Sequence, residues 1–228
     1  MTQKISKIEV ACIVAISLLA IAVLTISAGG PQFSDELAYI TLGINGFKDP
    51  LILNRYFHVY IQAIFMQLAP KPIIGVRLFW SLEMVFSALM IYFGIRLLNR
   101  KATAIHSIVG AFFFFSLPFF LTYSGATIVD FTSMVMVTGV LLFYLLSIRF
   151  ENKTKWFLLA MGAMLFLSFK TKEVNLVASV AVVGLGLDGE GSFHWKLLWQ
   201  KVRWTLLGMA GGVVIFMGLG ALVVHDPL

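Results

Sequence analysis

Long apolar stretches alternate with short polar segments along almost the whole chain. The first apolar stretch, residues 8–28, follows Lys4 and Lys7. Its length suffices to cross a membrane, since a spanning helix needs about 20 apolar residues. Six further stretches follow it, so the pattern predicts seven transmembrane helices. These six are residues 73–98, 104–122, 131–148, 156–169, 174–187 and 202–224, of which the fourth and fifth are short.

Two polar segments interrupt this pattern in an informative way. Residues 29–72 are rich in Gly, Pro, Asn and charges and form a predicted outer loop. Within this loop residues 57–68 are apolar but too short to span, so we expect an interfacial helix along the membrane surface. Residues 188–192 predict a flexible turn, and residues 195–201 a second, short interfacial helix ahead of the last crossing.

Composition places the chain among membrane proteins. Hydrophobic residues make up 60% of the 228 residues and charged residues 12%, about half the charged share of a typical soluble domain. We therefore predict an all-α polytopic membrane protein with one module over residues 1–228. The basic residues are scattered in the loops between apolar stretches, so we exclude a nucleic-acid interface. In such loops they instead determine which side of the membrane each loop occupies. Eleven of the 17 lie on one predicted side, which makes the N-terminus cytoplasmic: Lys4, Lys7, Arg96, Arg100, Lys101, Arg149, Lys153, Lys155, Lys196, Lys201 and Arg203.

With this topology, the polar groups suited to chemistry fall on the outer face. The first loop carries the adjacent carboxylates Asp35 and Glu36. A carboxylate beside hydrocarbon must be solvated, paired with a cation or retained for a function. The alternative is a solvated loop in which Ser34 or Asp35 caps a helix.

Three further positions each have a structural and a functional interpretation. Asp130 begins a predicted helix, where the macrodipole also favours an anion. Lys172 and Glu173 lie between two apolar stretches and could simply neutralise each other. Glu83 lies midway along the second predicted crossing, where we favour a structural role, protonated or paired with a basic residue of another helix. Gly208 and Gly212 form a small-xxx-small pair that permits close helix approach, within the chain or between chains.

Taken in order, these motifs resemble the GT-C glycosyltransferases. Within that superfamily the chain is most similar to protein O-mannosyltransferases and to the aminoarabinose transferases that act on lipid A. The resemblance covers almost the whole chain, and each motif is weak alone. It rests on Asp35-Glu36, Tyr39, Asn54-Arg55, His58, Arg77, Tyr123 to Asp130, and Thr171-Lys172-Glu173.

The resemblance implies inverting transfer of a sugar from a polyprenyl-phosphate carrier to a lipid, glycan or protein acceptor at the outer or lumenal membrane face. Asp35 would be the general base, with Glu36 and Asp130 assisting. Lys172, with Arg55 or Lys170, would hold the carrier phosphate. His58, Tyr123 and Glu173 complete the expected substrate site. We expect no cofactor and no metal, since no His, Cys and carboxylate cluster has ligand spacing.

The chain also departs from the family pattern. Relatives often carry Lys-Pro-Pro or His-Pro ahead of the interfacial helix, where this chain has residues 54–58, so the donor and acceptor stay open. Family members usually continue with further helices, and we therefore expect a continuation past Leu228. The alternative function is a non-catalytic subunit of GT-C fold that packs against membrane protein partners in a larger complex. A small transporter is disfavoured, because apart from Glu83 the predicted spans offer no ionisable path.

Overall fold

The computed structural model describes residues 7–27, 40–41, 55–99, 101–116, 129–188 and 191–224. These residues are helical and contain no strand, which confirms the all-α prediction for this part of the chain. Short 3₁₀ helices at Glu151–Lys153 and Glu173–Ser179 precede α6 and α7. The α-helices are α1 Lys7–Ser27, α2 Tyr56–Leu68, α3 Pro72–Leu98, α4 Ala104–Ser116, α5 Val129–Arg149, α6 Thr154–Thr171, α7 Val180–Gly184 and α8 Trp195–Val224.

Three of the described helices, α3, α5 and α8, are long and apolar enough to cross a membrane. The chain is therefore a membrane protein by helix length and composition, with three such helices in the described residues rather than seven. The predicted crossing at 174–187 falls short for a physical reason. It consists of seven residues of 3₁₀ helix and five of α-helix. At their usual rises these residues cover only about 20 Å.

Helix α2 corresponds to the segment for which the sequence predicts an interfacial helix, and protein encloses much of it. Its four consecutive residues Phe57 to Tyr60 are all buried, so protein covers the helix on every side over that turn. It packs against α3, α6 and α8. At the turn into α3, a side chain at Gly75 would collide with the backbone of Phe65 and Met66, which shows how closely the two helices approach.

Helices α5 and α6 form an antiparallel hairpin, and α8 packs along α6. Gly162 lies against the backbone of Thr205, and Gly208 against that of Leu159. The predicted small-residue pair thus forms a contact within the chain. The prediction of a separate short helix at 195–201 is wrong, because α8 is continuous from Trp195 to Val224. No Gly or Pro interrupts the helix before residue 208.

The bundle has two ends that differ in charge. We call the end where α5 begins and α6 stops the Asp130 end, and the opposite end the Arg96 end. Arg96 forms an ion pair there with Glu9 near the start of α1. The five described basic residues of the Asp130 end are Arg55, Lys71, Arg77, Lys170 and Lys172. The nine of the Arg96 end are Lys7, Arg96, Lys101, Arg149, Lys153, Lys155, Lys196, Lys201 and Arg203.

Candidate functional site

An ion pair between Asp130 and Lys172 marks the candidate site. Asp130 lies in the first turn of α5, where the helix macrodipole favours a negative charge. Lys172 follows α6 in extended conformation, and its Nζ donates to Asp130 Oδ1. The Asp130 side chain is 46% exposed and the Lys172 side chain 28%, so the pair is accessible from outside the bundle. A pair this exposed contributes only about 0 to 1 kcal/mol, and another anion can compete for the lysine.

A second set of contacts fixes the backbone beneath this pair. Ser133 Oγ donates to Asn175 Oδ1 over 2.6 Å, and Asn175 Nδ2 donates to the carbonyl of Ser168 over 2.9 Å. All three residues are buried. The backbone N–H of Asn175 also donates to the carbonyl of Lys172, over 3.0 Å. The turn after α6 is therefore held against α5, which places Lys172 opposite Asp130.

A buried polar chain lies one turn further into the bundle and joins α2, α5 and α3. Thr132 Oγ1 donates to Glu83 Oε1, and it lies 2.5 Å from His58 Nδ1. When the Thr132 hydroxyl donates to Glu83, the neutral imidazole of His58 donates from Nδ1 to the same hydroxyl oxygen. Glu83 thus contacts a hydroxyl, and no described basic residue forms a salt bridge with it.

His58 is electrostatically linked to the accessible pair. Its pKa lies at about 3, below the usual 6.5, because burial and then the Arg55 guanidinium disfavour a second proton. The carboxylate of Asp130 acts in the opposite direction. His58 is therefore neutral at physiological pH. The charges of Arg55 and Asp130 act on its pKa in opposite directions.

Lys170 faces a different neighbour from Lys172. Its Nζ lies 5.4 Å from the ring centroid of Phe216 on α8 and 6.0 Å from that of Phe169. Phe216 in turn packs on Tyr60, with ring centroids 5.3 Å apart, and Tyr60 stacks on Tyr56. Lys170 therefore borders an aromatic surface shared by α2 and α8, which suits a cation–π contact.

The predicted site residues separate into three groups. Asp130 and Lys172 meet directly, and His58 lies within the electrostatic influence of Arg55 and Asp130. Glu173 starts the 3₁₀ helix after Lys172 and is exposed. Asp35, Glu36 and Tyr123 lie outside the described residues. The phosphate-binding and catalytic roles assigned to these residues remain predictions.

Sequence reasoning missed three buried polar residues of this region, Thr132, Ser133 and Asn175. No local sequence signal distinguishes them, because uncharged polar residues are common near helix ends and their partners lie on separate helices. Within the described ranges, no group of three or more His, Cys, Asp or Glu side chains could hold a metal ion.

Comparisons with known protein families, with curated proteins and with solved structures give no match to this chain.

Proposed function

We propose that the protein is a membrane glycosyltransferase of the GT-C type, which transfers a sugar from a polyprenyl-phosphate carrier to an acceptor hydroxyl. The observation that carries this proposal is the accessible Asp130–Lys172 pair, formed by the first turn of α5 and the turn after α6 at one end of an apolar bundle. A carrier phosphate is an anion that arrives through the membrane. An ammonium group at the membrane boundary, held by an exchangeable partner, suits its capture.

The proposed reaction is an inverting displacement. The acceptor oxygen attacks the anomeric carbon as the bond from that carbon to the carrier phosphate breaks. Asp35 takes the acceptor proton, and polyprenyl phosphate departs with the bonding electron pair. A positioned base typically contributes about 10² to 10⁴ in rate. Lys172 stabilises the charge on the departing phosphate and gives up its contact with Asp130. In this proposal Asp130 and Glu36 have an assisting role.

The same proposal includes a topology with a cytoplasmic N-terminus, in which the long helices α3, α5 and α8 cross the membrane. The concentration of basic residues at the Arg96 end supports a cytoplasmic position for that end, since Lys and Arg flank spans on the cytoplasmic side. The Asp130 end then faces outward, together with the loop that carries Asp35.

Carrier binding tests the role of Lys172 separately from turnover. The measurement is the affinity of the purified full-length chain for polyprenyl phosphate in detergent micelles. We expect Lys172→Met to weaken binding at least about tenfold, the equivalent of 1.4 kcal/mol. Lys71→Met is the matched control, because Lys71 is an exposed lysine at the same end in the turn between α2 and α3. Equal affinities for the two variants would contradict a phosphate site at Lys172.

One observation favours the alternative of a non-catalytic subunit. Asp130 with Lys172, and His58 with Thr132 and Glu83, all join different helices, as expected if the polar groups only hold the bundle together. Such a subunit would bind no carrier, would purify with membrane protein partners, and would lose those partners when the bundle is destabilised. Carrier binding that depends on Lys172 decides against it.

A further inference from the structure

A cavity of about 370 Å³ lies at the Arg96 end, away from the proposed transfer site. It is bounded by the start of α1 and the last turns of α3 and α5. Its polar wall consists of Glu9, Arg96 and Arg149. Behind these charges its wall is apolar, formed mainly by Phe93, Leu97, Leu142 and Leu146. The cavity is therefore amphipathic, with cations at its polar side.

The charges of the cavity do not balance. Arg96 pairs with Glu9, and their side chains are 23% and 18% exposed. Within the described part of the chain, no carboxylate forms a salt bridge with Arg149. The cavity thus carries a net charge of +1 from its three ionised groups, one carboxylate against two guanidinium groups. The planar guanidinium fork matches phosphate oxygens in a bidentate manner.

The position of the cavity limits the kinds of ligand that it can bind. Both α3 and α5 are long and apolar enough to span a membrane, and both arginines lie in the last turns of these helices. The guanidinium groups therefore lie at the level of lipid head groups, and the apolar wall extends toward the hydrocarbon. Further basic residues at this end, among them Lys7, Lys101 and Lys153, add a positive field that attracts anionic lipid.

We propose that this cavity binds one anionic phospholipid, with its phosphate on Arg149 and Arg96 and its glycerol and upper acyl carbons against Leu97 and Leu142. The lipid would occupy the space between α1, α3 and α5 and would stabilise their packing. A purely structural alternative exists, because a cation in the last turn of a helix also offsets the macrodipole. That alternative predicts no dependence on lipid.

The test compares lipid binding by the purified full-length chain and by variants. The probes are phosphatidylglycerol, phosphatidylcholine and inorganic phosphate, added to protein in neutral detergent and read by native mass spectrometry and by the thermal midpoint. We expect phosphatidylglycerol to bind and to raise the midpoint, phosphatidylcholine to bind at least tenfold more weakly, and inorganic phosphate to give no shift. Arg149→Gln should lose at least tenfold in affinity, whereas Lys155→Gln, an exposed cation at the same end, should bind as the wild type does.

A second variant keeps the proposal falsifiable if Arg149→Gln fails to fold. Leu97→Trp fills the cavity without changing charge, and we expect it to lower the affinity for phosphatidylglycerol by a similar factor. Equal binding of the two lipids by the wild type would overturn the proposal, as would unchanged phosphatidylglycerol binding in Leu97→Trp or in folded Arg149→Gln. A midpoint shift with inorganic phosphate alone would show an anion site without a lipid and would also overturn it.

Discussion

At the scale of single residues, the bundle is defined by buried polar groups whose hydrogen bonds cross between helices. Thr132 illustrates this, since one hydroxyl links His58 of α2 to Glu83 of α3. Each link stabilises modestly when complete, but breaking it leaves a buried group unsatisfied, which costs about 1 to 3 kcal/mol.

His58 makes stability depend on pH. Its pKa lies at about 3 in the folded chain, against a usual 6.5, so between these values the unfolded chain binds more protons. Stability is then fully present above about pH 6.5 and falls as the pH drops toward 3. We expect the thermal midpoint of the purified protein to fall between pH 7.5 and 5, and His58→Asn to show a smaller fall from a lower starting value. His106→Asn, which removes an exposed histidine, is the control and should keep the wild-type slope. Parallel slopes for all three proteins would refute the prediction.

Gln62 allows a test of how much an unsatisfied buried amide lowers the stability of the protein. Its side chain is fully buried, and neither its amide nitrogen nor its oxygen has a hydrogen-bond partner among the described residues. Removing an unsatisfied amide relieves a cost of about 1 to 3 kcal/mol, so Gln62→Leu should raise the thermal midpoint. Gln67→Leu makes the same change at an exposed position of the same helix and should leave it nearly unchanged. A lower midpoint for Gln62→Leu would mean that its amide is engaged by a group outside the described residues.

Among helices, the packing of α6 against α8 depends on glycine. A methyl group at Gly208 would collide with the backbone of Leu159, and one at Gly162 with that of Thr205. We therefore expect Gly208→Ala to destabilise the protein by about 1 to 3 kcal/mol, the usual cost of overpacking. Gly211→Ala is the matched control, because nothing lies within 4 Å of an added methyl group there. Chemical denaturation in mixed micelles measures both variants, and equal stability of the two would exclude close packing at Gly208.

The apolar pattern predicted the helices themselves well. The predicted helices at residues 73–98 and 131–148 correspond to the observed helices Pro72–Leu98 and Val129–Arg149. Charged residues at the ends of these long apolar stretches mark the helix boundaries closely. The pattern failed where tertiary packing decides. Periodicity could not show that α2 is enclosed by three helices, because a short apolar run suits an interfacial or a buried helix equally. It also divided α8 at residue 202, although charged residues at a helix end do not interrupt a helix.

The candidate site was predictable in its charged members but not in its supporting ones. Asp130 and Lys172 stand out because charges are rare in this chain. Thr132, Ser133 and Asn175 do not, because uncharged polar residues are common near helix ends and their partners depend on the relative register of separate helices. No local feature of the sequence specifies that register.

Considered as a whole molecule, the bundle presents its two ends to different environments. The proposed topology makes a direct prediction about access from outside the cell. In a Cys12→Ser background, Lys71→Cys at the Asp130 end should react with a membrane-impermeant maleimide in intact cells. Lys153→Cys at the Arg96 end should react only after permeabilisation. Both lysines are exposed, so accessibility differs only by side of the membrane. The reverse labelling pattern would place the proposed transfer site in the cytoplasm and contradict the proposal.

We propose that the Asp130 end carries sugar transfer from a polyprenyl-phosphate donor. The most direct measurement is the release of polyprenyl phosphate by the purified full-length chain, with a panel of radiolabelled polyprenyl-phosphate sugars and a hydroxyl acceptor. We predict release in equal amount to glycosylated product. Asp35→Asn should lower it by about 10² or more, as expected for loss of a general base, while Glu151→Gln at the other end leaves it unchanged. Undiminished release by Asp35→Asn, or no release with any donor, would contradict the account.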